Sequence, residues 1–193
     1  SQQGGLVLVI VLLGGLLTFF AGTNVDRATG QDVNRFLNSN TLIQTATDAS
    51  FFAIMAVGAT FVIISGGIDL SVGSIYALAG VTMAMVLRSS GREGGAASVL
   101  IGFAVCVGVG FLCGLLNGLL VVFLRVHPFI ITLGTMWILR GIAFVSSKAE
   151  SILVPESLTT VAKASLGLRE SLYPVPMLTM LAVAAIGAMY LTQ

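Results

Sequence analysis

The sequence predicts an all-α protein: a polytopic transmembrane helix bundle of about six spans, with a discontinuous segment near residues 65–71. Three observations predict it. Hydrophobic residues make up 56% of the 193, before 23 glycines are added. Charged residues are only 9%, where a soluble domain carries about 25%. The apolar residues also gather in long runs between short polar stretches, and a span needs about 20 of them. Mean hydropathy is +1.04. This composition excludes a nucleic-acid binder, a disordered chain and a disulfide-stapled secreted domain. Nine Lys+Arg against eight Asp+Glu leave +1, so the charge balance implies no polybasic or acidic partner.

The first span is 4–22, which carries no charge. A cleaved signal peptide is the alternative, but the visible start lacks a basic region. Residues 23–48 are polar, and Asn40 or Thr41 is placed to cap the next helix. Span two is 49–65 and breaks at Gly66-Gly67. Span three is 70–87, followed by a polar loop from Arg88 to Gly95. Span four, 98–124, reaches about 40 Å, so it tilts or projects into the interface. Arg125-Val126-His127-Pro128 makes a tight corner, with Pro128 suited to a first helical turn. Span five is 128–147 and holds Arg140. The loop 148–174 contains a short surface helix, 156–166, stopped by Gly167. Span six is 175–193. The whole reads as a single transmembrane domain, 1–193, forming the N-terminal part of a longer protein.

Few residues stand out against this apolar background. Ser65-Gly66-Gly67-Ile68-Asp69-Leu70-Ser71-Val72-Gly73-Ser74 joins two apolar runs too tightly for an ordinary loop. Paired glycines break a helix, at about 1 kcal/mol each relative to alanine. Asp69 or Ser71 can then cap the helix that follows. Broken helices at membrane depth line protein or a watery cavity, and transporters present backbone groups from such breaks. The plainer alternative is a tight interfacial turn with a capping aspartate. Arg140 lies about twelve residues into its span and should face the bundle, because a charge there costs roughly 2.5–3.5 kcal/mol. Asp69 is the obvious carboxylate for it to pair with.

Span four carries Gly110, Gly114 and Gly118 four apart on one face, a pattern that lets helix backbones approach closely. Asn117 beside them can hydrogen-bond across helices. Cys106 and Cys113 read as packing residues. His127 has no companion, and no metal site is expected. No G-x-x-x-x-G-K-[ST] loop, H-E-x-x-H or G-x-S-x-G motif is present. No series of intramembrane carboxylates suggests a proton pump.

The run from Ala56 to Ser74, centred on Gly66-Gly67-Ile68-Asp69-Leu70-Ser71-Val72-Gly73, closely resembles the signature of ABC-importer permeases for ribose and related simple sugars. Pro128-Phe129-Ile130-Ile131-Thr132-Leu133-Gly134-Thr135-Met136, followed by Arg140-Gly141, resembles the same family. Phe36-Leu37-Asn38 to Asn40-Thr41-Leu42 is similar to its polar stretch before the second span. The resemblance implies a multi-pass permease subunit of the bacterial inner membrane, not itself an enzyme. A second permease copy would complete the path through the lipid bilayer. A separate ABC ATPase subunit would bind ATP and Mg, and this chain no cofactor. A periplasmic sugar-binding protein would deliver a monosaccharide such as ribose. Family members continue beyond this point into further spans.

The residues expected at the path and gate are Gly66, Gly67, Asp69, Ser71, Phe129, Thr132 and Arg140. Gly110, Gly114, Gly118 and Asn117 are expected to pack helices. The loop cations Arg27, Arg35, Arg88, Arg92, Lys148, Lys163 and Arg169 share one side, against Arg125 alone. The positive-inside rule puts the termini outside, whereas the resemblance implies termini inside and is followed here. The alternatives are an ABC permease for another small solute, such as a branched-chain amino acid, and a secondary transporter or channel.

Overall fold

The computed structural model describes residues 2–25, 30, 32–89, 95–162, 181–183, 185–187 and 189. Its elements run α1 (Gln2–Phe20), β1 (Thr23–Val25), β2 (Asp32–Asn34), α2 (Ser39–Ile64), α3 (Val72–Ser89), α4 (Ala96–Leu124), α5 (Pro128–Ser146) and α6 (Glu156–Ala162). Among the described residues, four helical stretches are long and apolar enough to cross a membrane: Thr41–Ile64, Val72–Ser89, Ala96–Leu124 and Pro128–Ser146. They match the second to fifth expected spans. The first expected span is helical as α1, whose Val7–Phe20 stretch is a shorter apolar helix. The sixth lies mostly outside the described residues. The described residues of 175–193 other than Met189 are 181–183 and 185–187, all helical.

The packed centre is α3 against α4 and α5, with α4 also touching α5 and α6. Its buried apolar side chains are mostly small: Ala79 and Ala84 from α3, Cys113 from α4 and Ala143 from α5, with Leu87 and Leu139 the larger ones. Small residues let helix backbones approach where lipid supplies no hydrophobic drive for association. The large apolar side chains point outward. Phe103, Phe111, Leu112, Val122 and Phe123 of α4 are all exposed, as a lipid-facing helix requires.

The start of α2 differs most from the sequence reading. α2 begins at Ser39, ten residues before the expected start of span two. Its first turns are polar, and their hydroxyls find partners on the helix backbone. Thr47 Oγ1 donates to the Ile43 carbonyl at 2.7 Å and Ser50 Oγ to the Thr47 carbonyl at 2.6 Å, so these hydroxyls are satisfied within the helix. Neither Asn40 nor Thr41 is the cap: both lie inside α2, and Thr41 Oγ1 donates back to the Arg35 carbonyl. The expected surface helix at 156–166 forms as α6 over Glu156–Ala162, and 163–167 lie outside the described residues.

The polar stretch after α1 holds an unexpected antiparallel hairpin, Thr23 opposite Asn34 and Val25 opposite Asp32. Asn34 ties it down. Its Nδ2 donates to the Thr18 carbonyl near the end of α1 at 2.7 Å, and its Oδ1 accepts from the Phe36 and Leu37 amides, both at 2.9 Å. The expectation of a helical membrane bundle holds, and this two-stranded hairpin is a small addition to it.

Candidate functional site: a broken helix gripped from two sides

The glycine pair ends α2 as a Schellman motif. The Gly67 amide donates to the Val62 carbonyl at 3.0 Å and the Gly66 amide to the Ile63 carbonyl at 2.9 Å. This pattern places the residue after the helix in the left-handed region, and Gly66 has φ +83°. Gly67 sits in a tight place. A Cβ there would stand 3.2 Å from Val62 Cγ1 and 3.7 Å from Pro128 Cβ. The end of α2 is therefore set directly against the start of α5.

Residues 67–71 then run outside any helix until α3 starts at Val72. Two contacts hold them. On one side, Thr132 of α5 is 3% exposed. Its hydroxyl accepts from the Leu70 amide at 3.2 Å and can donate to the Ile68 carbonyl at 3.2 Å or the Phe129 carbonyl at 3.4 Å. On the other side, Asp69 Oδ1 accepts from the Ser71 amide at 2.7 Å and the Ser71 hydroxyl at 2.6 Å. The Ser71 oxygen in turn accepts from Asn117 Nδ2 of α4 at 2.8 Å. Ser71 is fully buried and Asn117 is 5% exposed. Ser71 also stands at the N-cap position of α3, its carbonyl accepting from the Ser74 and Ile75 amides.

The corner before α5 is built to the same end. α4 finishes with Arg125 in the left-handed region, φ 53°. His127 then caps α5: its Nδ1 accepts from the Phe129 amide at 3.3 Å, and Pro128 occupies the first turn. The lone histidine thus serves the backbone and presents Thr132 one turn further on. The expected residues Gly66, Gly67, Asp69, Ser71 and Thr132 come together here, with Phe129 at the rim, 42% exposed.

Arg140 does not join them. The buried face of α5 is Thr132, Thr135, Leu139 and Ala143. Arg140 follows Leu139 by one residue, a turn of about 100° away from that face. It is exposed and lies about 12 Å along the helix from Thr132. Asp69 and Arg140 form no ion pair among the described residues, and Asp69 is turned to Ser71 instead.

The α4 glycines also differ from expectation. A Cβ at Gly110, Gly114 or Gly118 would meet nothing within 4 Å. The close approach is at Gly102, where a Cβ would stand 3.2 Å from Met83 Sδ of α3 and 3.3 Å from Leu158 Cδ2 of α6. Asn117 hydrogen-bonds out of α4, to Ser71 just before α3. The signal for that is the spacing of Ser98, Gly102, Cys113 and Asn117, the buried residues of α4. Steps of four, eleven and four keep them on one face of a helix.

The family profile described as the permease component of branched-chain amino acid transport systems matches residues 41–193. The chain is 43% identical over 117 residues to the inner membrane ABC transporter permease protein YjfF of Escherichia coli (strain K12), across 61% of this chain and 34% of that protein. It is 41% identical over 117 residues to the D-allose transport system permease protein AlsC of the same organism, with the same coverage. It is 37% identical over 118 residues to the autoinducer 2 import system permease protein LsrD of Yersinia pestis (strain Pestoides F), across 61% of this chain and 34% of that protein. The matched part thus spans about a third of the length of these curated relatives. No solved structure matches.

Proposed function

The chain belongs to the permease-component family of branched-chain amino acid transport systems, and from that premise we propose that it acts within the membrane-spanning permease subunit of an ATP-driven importer of the bacterial inner membrane. Its cargo is a monosaccharide or a sugar-like solute, ribose among the candidates. The names of two relatives, a D-allose permease and an autoinducer 2 permease, favour that class. The observation that carries the reading is the segment 65–71. It interrupts two membrane helices and is held between α4 and α5 by Asn117, Ser71 and Asp69 on one side and Thr132 on the other. Backbone outside a helix at membrane depth suits a solute path.

In this reading Gly66, Gly67, Asp69, Ser71, Thr132 and Phe129 form the path or gate. Arg140 belongs to it only through a neighbouring part of the assembly. The subunit breaks no bonds. ATP and Mg²⁺ bind a separate ATPase, a periplasmic binding protein delivers the solute, and a second permease copy completes the channel. A branched-chain amino acid is the second candidate cargo, on the family's description. Uptake of labelled D-ribose, D-allose and leucine by cells carrying the permease with its ATPase and binding protein separates these cargoes. Sugar uptake that stops when the ATPase is inactivated supports the reading. Leucine uptake alone supports the second cargo.

A further inference from the structure

We propose that Asn117 is a positioning residue for the broken segment: through Ser71 it fixes where the Asp69 carboxylate stands. The proposal rests on the reading of residues 65–71 as part of the solute path, and adds to it a side chain 46 positions away in sequence.

The hydrogen-bond directions require it. An ionised carboxylate only accepts. Asp69 Oδ1 takes a hydrogen from the Ser71 amide and another from the Ser71 hydroxyl. Ser71 has one hydroxyl hydrogen and has used it, so its oxygen can only accept from α4. The group facing it on Asn117 must therefore be the amide nitrogen, as observed at 2.8 Å. That choice leaves Asn117 Oδ1 buried with no partner among the described residues.

A buried acceptor without a donor is costly, and a side chain there only to fill space would avoid it. Of the other buried positions on this face of α4, Gly102 and Cys113 bring no amide, and Ser98 brings a hydroxyl that is not left without a partner. The unpaired oxygen comes with a nitrogen that the segment uses. Thr132 grips the backbone of the same segment, so the two sides differ in kind. α5 clamps the chain, and α4 aims the acid.

The test is a double-mutant cycle on the natural full-length protein in proteoliposomes, with Cys106→Ala and Cys113→Ala removing the native thiols. Leu70→Cys, next to the acid, reports by its rate of labelling with N-ethylmaleimide. Asn117→Leu should raise that rate about fivefold, the population shift expected for one lost hydrogen bond, and Ser71→Ala, which removes the bonds to both Asp69 and Asn117, at least as much. The double variant should be no faster than the faster single. Asn117→Asp keeps the shape, loses the donor and should behave as Asn117→Leu does. If Asn117→Leu fails to accumulate, Asn117→Ser with Ser71→Ala completes the same cycle.

Unchanged labelling in a folded Asn117 variant overturns the proposal. So do single effects that multiply in the double variant, because a role exercised through Ser71 leaves Asn117 nothing to add once the Ser71 hydroxyl is gone. No cargo is needed for this readout. A coupled pair without sugar uptake therefore refutes the transport reading alone, and uptake with an uncoupled pair refutes the positioning role alone.

Discussion

Thr132 is the residue whose loss should be felt most simply. It is buried, and its one hydroxyl serves both the Leu70 amide and the Ile68 carbonyl. Thr132→Val keeps the shape but leaves a part-buried amide without its partner. That should cost about 1–3 kcal/mol, read as a lower melting temperature of the solubilised protein, with Thr132→Ser close to the parent. Two positive-φ positions give predictions of opposite sign. Gly66, φ +83°, closes the Schellman motif of α2, and Lys148, φ +53°, closes an equivalent one after α5. There the Lys148 amide donates to the Val145 carbonyl and the Ala149 amide to the Phe144 carbonyl. Gly66→Ala adds a Cβ to open space but strains the backbone by about 1–2 kcal/mol. Lys148→Gly relieves the same strain and should stabilise the protein by up to about 1 kcal/mol. A melting temperature that moves the same way for both substitutions would refute this account of the two helix ends.

At the scale of elements, the close packing of α3, α4 and α6 turns on Gly102, and not on the glycines spaced four apart. Gly102→Leu forces a side chain into Met83 and Leu158 and should destabilise by about 1–3 kcal/mol, the usual cost of overpacking. Gly118→Leu meets open space within this chain and should leave its melting temperature nearly unchanged. The sequence makes the helices themselves legible. Long apolar runs, paired glycines and Pro128 mark α2 to α5 and the break between α2 and α3, while the polar first turns of α2, from Ser39, go unmarked. What it hides is rotation. Arg140 and Leu139 are neighbours in the chain, yet one is exposed and the other buried, and that depends on which face α3 and α4 cover. The hairpin at Thr23–Asn34 is hidden for another reason. Its strands are three residues each and mostly polar, with no apolar alternation to reveal them. Asn34 becomes informative only once it is seen capping the end of α1.

At the scale of the molecule, the distribution of charge matters more than its amount. The described helices turn large apolar side chains outward and bury small and hydroxyl-bearing ones: Ser50, Ser71, Ser74, Ser98, Thr132 and Thr135. That inversion of a soluble fold is what a bilayer demands, because polar groups are satisfied inside and lipid meets the hydrocarbon. Within it, the family motif around residues 66–71 was readable from sequence. Its grip by Asn117 was not, because that contact joins residues 46 apart across two helices.

The central claim is that this broken segment serves an importer driven by ATP. The most direct measurement is solute uptake into proteoliposomes holding the natural full-length permease, with its ATPase and binding protein added separately. The account predicts D-ribose or D-allose uptake that needs all three proteins and ATP hydrolysis, and that falls in Asp69→Ala. Uptake by the permease alone, driven by an ion gradient and indifferent to ATP, would contradict it.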